Sequence, residues 1–135
     1  MTRDEAREFV ASNHNAVLVT RKESGGVQTS PVTVGVDDEK VVISTRETAY
    51  KIRNLRRDPA ATLCVFSGNF YGSWVQIDGT AEIISLPEAM EGLVDYYRRI
   101  SGEHPDWDDY RQAMVRDKRV LLRISIDGVG PTKFG

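Results

Sequence analysis

The residues best placed to do chemistry lie close together, in the run VVISTRETAYKIRNLRRDP at positions 41–59. A β-rich stretch ends in Ser44 and Thr45, and a helical pattern follows at once. A helix N-terminus carries unpaired N–H groups and partial positive charge. Lys51 lies about one turn further on, so its side chain can reach back toward that end. Hydroxyls, backbone N–H groups and an ammonium at one corner make a cradle for an oxyanion. From Arg46 to Arg57 there are five cations, Arg46, Lys51, Arg53, Arg56 and Arg57, against one acid, Glu47. The whole chain carries a net charge of -2, so this cluster is local. It points to a focused anion site and not to a track for nucleic acid. A solvated amphipathic helix whose cations pair with acids has the same composition, and both readings stay open. Asn54 fits a tethering role as well as a ligand contact.

Other candidates are fewer. Gln28, Thr29, Ser30 and Pro31 form a small polar set on a strand that could line a barrel mouth and bond the edge of a flat heterocycle. Polar residues on a solvated strand face would look the same. Trp74, with Tyr71 nearby, can stack on a ring, pack at a subunit interface or fill a core. His14 and His104 match no metal-ligand spacing, so no metal site is expected. The single cysteine, Cys64, rules out an internal disulfide and reads as a small buried hydrophobe. No nucleophile–base pair of the hydrolytic kind stands out. That absence suits an enzyme whose cofactor carries the chemistry.

The elements that must position these residues can be read from periodicity and punctuation. Thr2 and Glu5 form a capping box for a helix over 2–12. Strands follow over 16–21, 27–36 and 41–44, separated by turns, with Pro31 marking an edge, bulge or bend. A helix over 47–57, capped by Thr45, stops at Asp58-Pro59. Strands over 61–66 and 73–85 come next, with Gly79 a candidate bulge. Helices over 87–100, with Pro87 at its first position, and 106–116 precede a last strand over 118–126 and an irregular tail. Trp107 and Tyr110 read as helix-packing aromatics. Six strands joined mostly as hairpins predict a mainly β (α+β) fold, a small antiparallel barrel in one domain over 1–135. A Rossmann sheet is not expected, since the strand–glycine turn–helix unit and the parallel alternation are missing. No apolar run is long enough for a membrane span, and no secretory signal opens the chain, so a cytoplasmic location is expected.

The run KIRNLRRDP, after a strand ending in Ser-Thr, resembles the pyridoxamine 5′-phosphate oxidase-like split barrels. A second run, YYRRISGEHPDWDDYRQAMVRDKRVLLRI at 96–124, is similar to the mycobacterial members of one actinobacterial branch, the B-type deazaflavin (coenzyme F-420)-dependent oxidoreductases. The resemblance implies a six-stranded antiparallel split β-barrel with peripheral helices, the FMN-binding split barrel type. It implies a homodimer with cofactor sites between subunits. It places the cofactor phosphate against Ser44, Thr45, Ala49, Tyr50 and Lys51, with Lys51 matching the phosphate lysine. Relatives often carry serine or arginine where this chain has Ala49, so that contact is absent or supplied by Arg46 or another cation. Gln28, Ser30, Pro31 and Val32 match the stretch that faces the ring. Gly72, Ser73, Trp74 and Val75 match a stretch near the ring, where the partner subunit completes the site. The implied reaction is hydride transfer from the reduced deazaflavin to a small conjugated or quinone-like substrate. FMN-dependent oxidase or reductase activity on the same fold is the alternative, and a non-catalytic cofactor-binding protein a third. Pyridoxamine phosphate oxidation itself is not expected, since the family's C-terminal arginine motif has no counterpart here.

Overall fold

The computed structural model describes the backbone of residues 1–134 and side chains as far as Pro131. Helix α1 (Arg3–Ser12) begins as its capping box predicts. The Glu5 N–H donates to Thr2 Oγ1 at 3.1 Å, and the Thr2 N–H returns a 2.9 Å bond to the Glu5 carboxylate. Ala6 and Val10 are its buried face.

Eight strands follow: β1 (Asn15–Arg21), β2 (Val27–Thr33), β3 (Gly35–Asp37), β4 (Lys40–Arg46), β5 (Ala60–Phe66), β6 (Ser73–Ile84), β7 (Arg119–Ile124) and β8 (Gly128–Phe134). Their order is β2-β1-β5-β6-β7-β4-β3, with β8 also on β6 and every pair antiparallel. The long β6 carries the closure. Its first part pairs with β5 through Thr80, and its last residues, Ala81–Ile84, pair with β7. The sheet thus curls around one core in which Leu18, Ile43, Leu63, Ile77 and Leu122 are fully buried. This is a split β-barrel, with β2 at an open edge.

Two helices cover the other face of β4 and β7. Helix α3 (Met90–Ser101) and helix α4 (Trp107–Arg116) form a hairpin, and Leu93 packs with Val42 and Leu121 in a second, smaller core. The unbroken apolar runs Val41–Ile43 and Val120–Leu122 reflect this burial on both faces. Helix α2 (Tyr50–Arg57) buries Ile52, Asn54 and Leu55.

Several sequence expectations change. Residues 27–36 are two strands: the Val34 N–H makes the last bond in register with β1, to the His14 carbonyl at 2.8 Å, and from Gly35 the chain pairs with β4 instead. Helix α2 begins at Tyr50, and its N-cap is Ala49 without a side-chain bond. Thr45 is not a cap; β4 runs on to Arg46, so Thr45 stays inside the sheet and is 5% exposed. Helix α3 starts at Met90, and Pro87 lies in the preceding turn. Gly79 is no bulge: it pairs in register with Ala61, and its missing side chain makes room for the Ser125 carbonyl, which an added Cβ would meet at 1.9 Å. The irregularity in β6 lies between Val75 and Ile77, on the β8 side. The tail expected to be irregular is β8. The free edge of β6 offers it backbone partners, which outweigh the poor β-propensity of Gly128, Gly130 and Pro131. Cys64 points away from the barrel core and is half-buried.

Candidate cofactor-binding site

A cavity of about 800 Å³ opens where β2 and β4 diverge, beneath the α3–α4 hairpin. Strand β2 contributes Pro31, Val32 and Thr33, and β4 contributes Ser44 and Thr45. Lys51 reaches in from α2 and Arg119 from the start of β7. The roof is aromatic and soft: Tyr96 and Tyr97 from α3, Tyr110 and Met114 from α4. Asn15, Ala16 and Phe66 complete the wall from β1 and β5.

Electrostatics define this space. Among the described residues Lys51 and Arg119 are its cations, and no Asp or Glu lines it. Among the described residues neither forms an ion pair with a carboxylate. Glu47, the acid nearest Lys51 in sequence, is held elsewhere by Arg56 and the Ser85 hydroxyl, and Asp117, the acid nearest Arg119, pairs with Arg116. Arg119 Nε is buried and has no hydrogen-bond partner among the described residues. Burial lowers the Lys51 pKa from its ordinary value, and the charge of Arg119 lowers it further. An unpaired guanidinium N–H beside a partly desolvated ammonium is an arrangement that an oxyanion would stabilise.

The tyrosines are fixed by their hydroxyls. Tyr96 donates to the Thr33 carbonyl at 2.8 Å, tying α3 to the end of β2. Tyr110 donates to the Leu93 carbonyl at 2.8 Å, tying α4 to α3. Burial raises the pKa of both, and Tyr110 is pushed up to about 12. Tyr97, His104, Trp107 and Tyr110 stack edge-on or tilted, with ring centroids 5.1–5.8 Å apart, and stiffen the hairpin behind the cavity.

Of the residues singled out from the sequence, Pro31, Val32, Ser44, Thr45 and Lys51 meet at this cavity. Ala49 and Tyr50 open α2 beside it; Ala49 packs against the core, and Tyr50 is exposed under the Arg53 guanidinium. Ser30 faces inward on β2, opposite Leu18. Gln28, two residues further from the cavity, accepts a 3.1 Å bond from Asn54 Nδ2. Gly72 and Ser73 sit at the start of β6. Trp74 lies across from the cavity residue Phe66, and Val75 is fully buried in the barrel core. The residues that sequence reasoning did not select are Arg119 and the tyrosine roof. Their sequence signal was weak, because Arg119 reads as an ordinary polar residue before a strand. Only its pairing with Arg46 brings it to the corner.

A sequence model described as pyridoxamine 5′-phosphate oxidase matches residues 2–133. The chain belongs to the pyridoxamine 5′-phosphate oxidase family. Solved structures agree on the fold. A conserved hypothetical protein from Mycobacterium tuberculosis is 26% identical with a TM-score of 0.78, the match covering 96% of this chain and 82% of that one. An F420 reductase is 17% identical with a TM-score of 0.71, covering 92% of this chain and 94% of that one. A FAD-binding protein from Mesorhizobium loti is 20% identical with a TM-score of 0.70, covering 96% and 90%. The family match supports an oxidoreductase-type protein, and the likeness to the F420 reductase and the FAD-binding protein is one of fold. No helix among the described residues is long and apolar enough to cross a membrane.

Proposed function

We propose that this chain is a coenzyme F-420-dependent oxidoreductase whose cavity at the β4–α2 corner holds the cofactor's anionic tail. The observation that carries an anionic cofactor tail is the Lys51–Arg119 pair, two cations without a carboxylate among the described residues, one of them with an orphaned N–H; the resemblance of residues 96–124 to the F-420-dependent branch and the fold shared with an F420 reductase support F-420 as its owner. A donor set of this kind fits a phosphate. When bound, a deazaflavin or flavin supplies hydride-transfer chemistry toward a conjugated or quinone-like substrate.

The chain's residues do the holding. Lys51 and the Ser44 and Thr45 hydroxyls grip the phosphate, joined by the first N–H groups of α2 at Tyr50 and Lys51, which have no intrahelical acceptor. Ala49 lets the tail approach that helix end closely. Gln28, Ser30, Pro31 and Val32 present the edge of β2 to the ring. The tyrosine roof covers one side of the cavity with apolar surface. A second copy of the chain completes each site through Gly72, Ser73 and Trp74, while Val75, expected with them, is sealed in the barrel core behind that stretch. Support for a homodimer comes from the adjoining loop, where Phe70 and Tyr71 are 69% and 73% exposed.

One observation favours FMN as a second reading. A paired ammonium and guanidinium suit a doubly charged phosphomonoester, which FMN carries, better than the singly charged phosphodiester of F-420. Fluorescence titration of the purified protein with each cofactor separates the two. Tight quenching of F-420, with turnover of a panel of enones and quinones by the reduced form, supports the first reading. Tight FMN binding with no response to F-420 replaces it by the second.

A further inference from the structure

The phosphate corner has a gap and a surplus. Ala49, the N-cap of α2, has no side chain able to bond an anion. On the other side of the cavity stands Arg119, outside the β4–α2 segment and, among the described residues, without an ion pair or a partner for its Nε. It is directly opposite Arg46 in the β4–β7 ladder. Like charges facing each other across strands are destabilising, and Lys51 adds a third positive charge close by. The turn into β7 is nevertheless firmly held. Lys118 has a positive φ of 53°, its N–H donates to the Val115 carbonyl at 3.1 Å, and its carbonyl accepts the Glu47 N–H at 2.8 Å. Beyond Arg119, Val120 and Leu122 lock β7 into the barrel core. The guanidinium therefore projects from a rigid strand end into the space that Lys51 enters from α2. Its Nε is buried and has no partner among the described residues. An unpaired buried donor costs free energy unless something accepts from it.

We propose that Arg119 is the second cation of the anion site, closing on the same oxyanion as Lys51 and supplying the contact that Ala49 leaves out. The inference rests on the cofactor reading above for the identity of that oxyanion, a cofactor phosphate, but the contact itself does not. The site then grips its anion from two elements far apart in sequence, so the anion staples α2 to β7.

Riboflavin and FMN differ only in the phosphate, which makes them the probes, with inorganic phosphate as a third. In the full chain, Arg119→Gln is expected to weaken FMN binding by about tenfold to a hundredfold while leaving riboflavin affinity unchanged. Phosphate is expected to raise the melting temperature of the parent protein and to lose that effect in Arg119→Gln. Arg119→Lys, which keeps the charge but not the fork, is expected to fall between the two. In the Lys51→Met/Arg119→Gln pair the losses are expected to be non-additive, as for groups sharing one ligand. Equal weakening of FMN and riboflavin by Arg119→Gln, or unchanged affinity for both FMN and phosphate, overturns the proposal. If no flavin or deazaflavin binds the parent protein while phosphate still stabilises it through Arg119, the cofactor reading falls and the anion contact stands.

Discussion

Asn54 offers a measurable test of how the fold holds Lys51 in place. It sits one turn beyond Lys51 on α2 and is 8% exposed. Its Nδ2 donates to Thr20 Oγ1 and Gln28 Oε1, both at 3.1 Å, and its Oδ1 accepts from Arg57 at 3.2 Å. Gln28 and Arg57 reach solvent and can find water when Asn54 is removed. Thr20 cannot: it is 1% exposed and keeps only a 3.4 Å contact to Gln28. Asn54→Leu therefore loses one buried bond and leaves one hydroxyl poorly satisfied, a cost of about 2–3 kcal/mol. For a chain of 135 residues this corresponds to a fall in melting temperature of about 7–11 °C. Thermal unfolding followed by circular dichroism reads it directly. Adding Thr20→Val removes the other partner, and the double variant is expected to recover more than half of the loss, since two apolar groups leave nothing unpaired. FMN affinity is expected to fall in the single variant and to return with stability in the double one. A melting temperature lowered by less than about 3 °C, or losses that simply add, would refute the argument that this cluster anchors α2.

Three other outcomes follow from the same geometry. Lys51→Met keeps the aliphatic stem but removes a charge set against Arg119; cofactor affinity is expected to fall about tenfold to a hundredfold while the unliganded protein melts no lower, measured by titration and calorimetry on one preparation. Tyr110, held neutral up to about 12, releases its proton later in the folded chain than in the unfolded one, whose tyrosines ionise near 10. Stability it contributes is thus lost as pH rises through that interval, and Tyr110→Phe is expected to flatten the alkaline limb of a denaturation profile between about pH 10 and 12. Gly79→Ala drives a Cβ to 1.9 Å from the Ser125 carbonyl, so the unfolding free energy from urea titration is expected to fall by about 1–3 kcal/mol or the protein to fail to fold.

Local chemistry determined much of this protein from sequence alone. The capping box at Thr2, the β-rich runs that became β1 and β5, the proline on an edge strand and the Asp58-Pro59 stop all depend on neighbours in the chain, and each is seen in the structure. The β4–α2 corner with Ser44, Thr45 and Lys51 was legible for the same reason: its residues are contiguous.

Tertiary structure decided what depends on pairing. The tail became β8 because β6 had an open edge, which no periodicity in residues 128–134 announces. Thr45 left its expected capping place because β7 extended the ladder as far as Arg46. Arg119 entered the cavity through that same register, 68 residues away from Lys51 in the chain. Its candidacy as an anion ligand rests on an Nε buried without a partner among the described residues, a property of the folded surroundings and not of the residue. Sequence supplied one cation of the site and the fold supplied the other, because strand register brings distant residues together and periodicity reports only near ones.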